Sequence, residues 1–290
     1  MDPINNFHPK IWANMTLDEV IESKKKRVEL FTTITDYTDF VKDKEADAYV
    51  GLKIGNMEAV TLPASDSDIN DPSKETITIL FNQHKGSPFI VKNIEEAQTS
   101  VNLMKAFTKK AARAIMNAYN TLIATLLINN AQTKLKKSDT AKNIITKNDI
   151  LRIAQTLDEM DAPEEGRYLL ISPAVKSQMM SIDEFVSRDK IADADSLKNG
   201  LIGHILGFDV LMRKHGLKTT IDGTVSESKI ENTKDTLVGY QTYAVGFGRQ
   251  QDLKSMVEPK ALKPGQLVNI WSVFGATTQE AKFSVTMRDN

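Results

Sequence analysis

From Ile94 to Thr125 apolar or small side chains recur at every third or fourth residue. The series is Ile94, Ala97, Val101, Met104, Thr108, Ala111, Ile115, Ala118, Leu122 and Thr125, with no glycine or proline before Asn129. This spacing lines one side of a single helix. Asn93 can cap it, and Glu95 and Glu96 fall in the first turn, where the helix dipole favours carboxylates. At ~1.5 Å per residue such a helix runs roughly 50 Å, about the breadth of a small domain. A rod of that length in a 290-residue chain is a spine for other elements. Away from the apolar stripe, Lys105, Lys109 and Arg113 stand four residues apart. That row is either a solvated helix face or a surface turned toward nucleic acid.

The residues before the spine divide into two textures. Residues 1–47 read as an arm, in which Phe7, Ile11 and Trp12 are scattered anchors among Asn, Pro and Lys. Thr16 and Glu19 form a capping box for a charged helix ending near Phe31, with too few apolar positions to bury a face of its own. From Tyr49 to Val91 strands prevail: YVGLKI and ETITILF flank Ser65–Ser73, a stretch of turn formers containing Asp66, Asp68 and Asp71 just before Lys74. A long hairpin with a hydrophilic tip is expected. A hairpin alone is marginally stable in water, so Leu52, Ile54, Ile77 and Ile79 need an outside surface.

After the spine an α/β stretch covers residues 143–245. Thr146 and Asp149 open a helix with Ile150, Ile153, Leu157 and Met160 on one face; Tyr168–Ile171 is a buried strand; Ser172 caps a further helix with Pro173 in its first turn. Residues 200–210 suggest short strands around glycine turns, and residues 217–236 a polar loop. Leu267–Phe274 and Phe283–Met287 are strands again, separated by Gly275 and a polar turn.

Catalytic patterns fail one by one. With no cysteine, thiolate nucleophiles, disulfides and cysteine-bound metals are excluded. Ser172 lacks the flanking glycines of a nucleophile elbow, Leu170 and Ala174 standing in their places. Gly200, Gly203 and Gly207 do not make a dinucleotide-binding loop, and Gly246–Gly248 reads as a kinked strand end. His8, His84, His204 and His215 are far apart. The acidic tip resembles the start of a calcium loop, but has Asp71 where glycine belongs and Ile77 where glutamate belongs. No cofactor, metal or enzymatic activity is expected. The 37 basic and 38 acidic side chains nearly cancel, which gives no support for dedicated nucleic-acid binding. The longest wholly apolar runs fall short of the ~20 residues a spanning helix needs, and the N-terminus has no signal-peptide pattern, so a soluble cytoplasmic product is expected.

In its order of elements the chain resembles the tailed-phage major capsid proteins of the Hong Kong 97-like fold. The similarity is densest in KNIEEAQTSVNLMKAFTKKAARAIMNAYN, PEEGRYLLISPAVKSQMM, GLIGHILGFDVLM and the strands after LKPGQLVNIW. The resemblance implies an α+β chain with an N-terminal arm (1–47), an extended β-hairpin loop (48–92), the spine helix of a peripheral domain (93–142), a central α/β axial domain (143–245) and C-terminal peripheral strands (246–290). It implies a homo-oligomer of hexamers and pentamers closing an icosahedral shell around double-stranded DNA, with non-specific DNA contact and a portal. No long scaffolding region precedes the arm, so scaffolding is expected to be either a separate protein, which Met1 favours, or a segment cleaved from the chain. Assembly in the host bacterial cytoplasm, residence in the virion and no membrane partner follow. Trp12, Asp66, Asp68, Asp71 and Lys74 become candidate inter-subunit contacts, and Lys105, Lys109 and Arg113 candidate genome-facing residues. A bacterial nanocompartment shell (an encapsulin) of the same fold is the alternative, and an unrecognised α+β enzyme the remoter one.

Overall fold

The computed structural model describes residues 28–41, 47–54, 74–92, 101–138, 144–179, 201–213, 218–219, 234–259 and 265–288. In chain order these form strand β1 (Thr35–Asp36), helix α1 (Thr38–Val41), strands β2 (Ala48–Ile54), β3 (Lys74–Leu80) and β4 (Gln83–Lys92), and helix α2 (Val101–Asn129). Then follow β5 (Thr133–Lys136), α3 (Lys147–Glu159), β6 (Arg167–Ile171), α4 (Pro173–Met179), β7 (Leu201–Ile205) and β8 (Phe208–Met212). The last strands are β9 (Lys218–Thr219), β10 (Lys234–Gln241), β11 (Val245–Pro259), β12 (Gly265–Thr278) and β13 (Ser284–Arg288).

Two sheets meet at α2. The smaller has the order β1-β11-β12-β4; the larger runs β5-β13-β10-β6-β8-β7, with β9 paired to β10. β2 and β3 form a separate antiparallel hairpin, as the strand pattern predicts; its tip, with Asp66, Asp68 and Asp71, lies outside the described residues. Three strands depart from the sequence reading. β4 is no part of the hairpin but an outer strand of the smaller sheet, paired with β12. The spine ends at Asn129, because β5 turns away to pair in parallel with β13. β13 then joins the larger sheet through β10 instead of staying beside β11 and β12. Gly275 is not a turn either, since β12 runs through it to Thr278.

The 29 residues of α2 follow the predicted stripe through Thr108, Ala111 and Ile115. The buried stripe then continues along Tyr119, Ile123 and Leu127, widened by Ala112, Met116, Ala124 and Ile128. Ala118, Leu122 and Thr125 are only half-buried. The stripe is broad because the helix packs against strands of both sheets. Asn93, its expected cap, lies outside the described residues. By length and composition Ala106–Asn129 could cross a bilayer, but its buried side chains are core contacts of the two sheets.

The arm reading changes most. Leu30–Thr32 form one 3-10 turn with Glu29 extended before it, so no helix runs on to Phe31. Leu30, Phe31, Ile34 and Val41 are buried in the subunit's own core, not held for a neighbour. Phe31 packs edge-on against Tyr119 at 5.7 Å, Thr33 Oγ1 and the Tyr240 hydroxyl share a 2.6 Å hydrogen bond, and β1 pairs in parallel with β11. Residues 28–41 are a strap across both sheets.

Local caps set the elements of residues 144–179, while Lys218–Thr219 and Lys234–Gln241 are strands where the sequence predicts a polar loop over residues 217–236. The Thr146–Asp149 capping box starts α3, which buries Ile150, Ile153 and Leu157. Ser172 Oγ accepts from the Val175 N–H at 3.3 Å at the start of α4. Arg167 closes the turn between α3 and β6 by donating to the Pro163 carbonyl at 2.9 Å and to Asp158 at 2.7 Å. β7 and β8 form a tight hairpin through Leu206 and Gly207, both at positive φ.

Two measurements test this packing. A Cβ on Gly275 would stand 2.1 Å from the Leu80 carbonyl oxygen, backbone that cannot swing aside. Gly275→Ala should therefore lower unfolding stability by ~2 kcal/mol or more in denaturant titration, the cost of overpacking. Burial raises the Tyr240 phenol above its ordinary range, the bond to Thr33 opposing the shift only in part. Below pH ~10 the phenol is protonated in both states; above it the unfolded chain ionises first and stability falls by up to ~1.4 kcal/mol per pH unit. Tyr240→Phe should make that alkaline loss shallower than in the parent chain, and an unchanged slope would refute the assignment.

Candidate assembly surfaces

Strand alternation gives the hairpin two unlike faces. Tyr49, Gly51, Ile77 and Ile79 share one face by register. At the root of that face Ile79 is fully buried with Val41 and Phe81, and Tyr37, Tyr49 and Val273 pack around them. Tyr37 and Tyr49 rings lie 5.2 Å apart, and Phe40 leans on both. Ile79 therefore finds its cover within the subunit, contrary to the expectation that it needs a neighbour. Ala48, Val50 and Leu52, opposite Leu80, Thr78 and Thr76, make the other face. There Val50 is 59% exposed, Leu52 77% and Leu80 55%. An apolar, β-branched strip of this kind on a two-stranded ribbon has no cover among the described residues.

A second uncovered face belongs to the smaller sheet. Along β12, Val268, Ile270, Ser272 and Phe274 point toward α2 and are buried. The alternate residues Leu267, Asn269, Trp271 and Val273 turn the other way and are half-buried. Register places Ile90 beside Leu267, Pro88 and Met256 beside Asn269, and His84 beside Val273. Val273 is covered by the hairpin root, but Met256 is 48% and Ile90 39% exposed, with Leu267 and Asn269 between them and Trp271 farther along β12 beside Lys254 and Gly86. This apolar face was not singled out from sequence. The alternation of β12 could have shown it, had both sides of the strand been counted.

The basic row lies on α2 as predicted. Lys109 and Arg113 are exposed on the side opposite Ala111, Ile115 and Tyr119, and Lys105 is one turn earlier in the helix. Lys74 opens β3 opposite Ile54. Trp12, Asp66, Asp68 and Asp71 lie outside the described residues.

Reaction chemistry has little to build on. Among the described residues no group of three or more His, Asp or Glu could hold a metal ion. His204 pairs with Asp209 at 3.1 Å on an exposed hairpin, and His84 packs near the Trp271 ring. The phenols of Tyr37 and Tyr168 are raised chiefly by burial, the Tyr37 shift being opposed by its bond to Gln279. An open groove of about 470 Å³ between β4 and α2 is lined by Gln83, Lys85, Ala118 and Leu122, without paired acids and bases.

The fold and these faces have counterparts among known proteins. A structure from Mycobacterium phage Che8 matches with a TM-score of 0.64 at 17% identity, covering 89% of this chain and 90% of its own. The capsid of cyanophage P-SCSP1u matches with a TM-score of 0.66 at 15% identity, covering 91% and 89%. A virus-like particle from Pyrococcus furiosus matches with a TM-score of 0.59 at 11% identity, covering 96% and 98%. At such identities the likeness shows the Hong Kong 97-like fold alone, and it spans phage capsids and a virus-like particle alike. No curated protein matches. The sequence family described as phage capsid protein matches residues 94–288, from the spine helix through β13. The match covers about two thirds of the chain, and it favours a phage shell over a nanocompartment: the chain belongs to the phage capsid protein family, the structural proteins that build virion shells.

Proposed function

We propose that this capsid protein forms the pentamers and hexamers of a tailed-phage shell around double-stranded DNA, with the hairpin as its principal inter-subunit grip. The observation that carries the reading is the exposed strip of Val50, Leu52 and Leu80 on a hairpin whose other face is already used. Burying such side chains stabilises a contact by ~1.5–3 kcal/mol each. The uncovered face of the smaller sheet, with Ile90, Met256 and Trp271, supplies apolar surface of the matching kind on an adjacent copy. Trp12, Asp66, Asp68, Asp71 and Lys74 would add contacts around it, charges steering and registering more than holding. In this reading the smaller sheet and α2 form the peripheral domain, and residues 143–245 the axial domain. Lys105, Lys109 and Arg113 face the genome. A portal and a separate scaffolding protein take part, and assembly proceeds in the host bacterial cytoplasm.

The hairpin is tested by charging its open face. Val50→Lys with Leu52→Lys should leave the subunit melt within the ~0.5 kcal/mol typical of surface changes, while closed particles disappear from electron micrographs. Normal shells from that variant would return the strip to ordinary exposed surface. Neutralising Lys105, Lys109 and Arg113 together should leave shells intact and weaken the salt-dependent retention of DNA. Unchanged retention across salt would make the row a plain solvated face.

A further inference from the structure

Three separate parts of the chain converge on one carboxylate. Glu29 Oε2 accepts a hydrogen bond from Asn120 Nδ2 at 2.8 Å and pairs with Arg213 Nη2 at 3.0 Å. Glu29 belongs to the strap, Asn120 to the middle of α2, and Arg213 follows β8 of the larger sheet. The Arg213 guanidinium also donates to the Val28 carbonyl, and the backbone N–H of Arg213 donates to the Ile171 carbonyl at 3.0 Å, fixing the residue to the end of β6. The Glu29 and Arg213 side chains are 7% and 10% exposed. Within seven residues the same strap reaches the other sheet, where Thr35 and Asp36 pair with Gly246 and Phe247.

A buried ion pair is a weak source of net stability, because desolvating both charges offsets most of their attraction. Its effect is geometric: a guanidinium holds a carboxylate at one distance and one direction, where apolar side chains would tolerate a slide. Here that constraint sits at one end of a strap whose other end is a strand of the smaller sheet. Rotating one sheet against the other has to break either the strand pairing or the Glu29 contacts. The side-chain contacts are the more easily remade, and packed elements of this kind switch between discrete arrangements.

We infer that Glu29, Arg213 and Asn120 form a latch that fixes the angle between the two sheets and thereby the curvature at which copies of the chain close. The inference rests on the shell-building role. The uncovered hairpin and sheet faces stand on the side of the smaller sheet, so a change in the angle between the sheets tilts one copy against the next. A single chain that must close a shell has to control this tilt.

The experiment uses the full chain and compares Glu29→Met/Arg213→Met, which removes both charges, with Arg213→Lys, which keeps the charge and loses the planar fork. Shell diameter is read by electron cryo-microscopy, and amide exchange over residues 28–36 by mass spectrometry. Both variants are expected to build shells of mixed diameter, with strap amides exchanging about tenfold faster than in the parent, a local opening. A variant that folds and closes uniform shells of the parent diameter overturns the latch. The parent chain supplies an outcome that needs no variant. Its strap amides should be protected differently in closed shells and in unassembled capsomers, and equal protection also overturns the proposal. A parent chain that builds no shells sinks the shell reading instead, and is told apart by the absence of particles in every sample.

Discussion

Tyr119 packs edge-on against Phe274 at 4.5 Å and against Phe31 at 5.7 Å, with Phe247 at 5.4 Å, and its hydroxyl donates to Ser272 Oγ at 2.7 Å. Ser272 in turn donates to the Gln251 carbonyl at 2.8 Å, where β11 shifts register against β12. One side chain thus joins the spine helix, the strap and both central strands of the smaller sheet. Aromatic pairs of this kind contribute ~0.5–1.5 kcal/mol each beyond the area they bury, and the net gain from the hydroxyl is ~1 kcal/mol. Most of the stabilisation is therefore burial, while the hydroxyl fixes the rotation of α2. Phenylalanine would fill the space but leave Ser272 without that donor.

While α2 takes one face of the smaller sheet, the other face is covered among the described residues at one end, where the hairpin root and Val41 of α1 meet Val273. An antiparallel sheet can leave one face in water, but it then carries polar residues there. This one carries Trp271, Leu267, Ile90 and Met256 among the polar Glu258, Lys254 and Asn269. The hairpin repeats the pattern, with a root buried at Ile79 and an outer strip left open. Among the described residues no further element covers either strip. In a repeated assembly, open strips of this kind are where one copy can cover another. A contact that is modest between two chains is multiplied when the arrangement closes on itself.

The spine, the hairpin and the caps of α3 and α4 were legible because each depends on local periodicity or a short capping pattern. Thr146 with Asp149 and Ser172 with Pro173 act within a few residues of one another. The strap was not legible as core. Its apolar residues Leu30, Phe31, Ile34 and Val41 follow no single period, and partners such as Tyr119 and Phe247 for Phe31, or Ile79 and Phe81 for Val41, lie far along the chain. The sheet assigned to β13 failed for the same reason, since alternation tells which face is buried but not which strand stands beside it. Gly275 looked like punctuation because glycine usually marks a turn, whereas here the Leu80 backbone crosses too close for any Cβ. Of the candidate contacts, the basic row was legible from helical spacing. The exposed hairpin strip required knowing which face Tyr49 and Ile79 had already used.

The formal net charge of −1 bears on assembly as well as on partners. Many copies of a strongly charged chain, brought together at a closed surface, would repel one another, and every contact would have to overcome that field. Near neutrality removes the collective term and leaves the balance to local contacts. It also explains how Lys109 and Arg113 can stand exposed on one helix without making the whole chain basic. Their charge acts within about a Debye length, ~8 Å at physiological salt, and is cancelled elsewhere on the same subunit. A shell protein arranged in this way can keep a locally basic surface and still pack copy against copy.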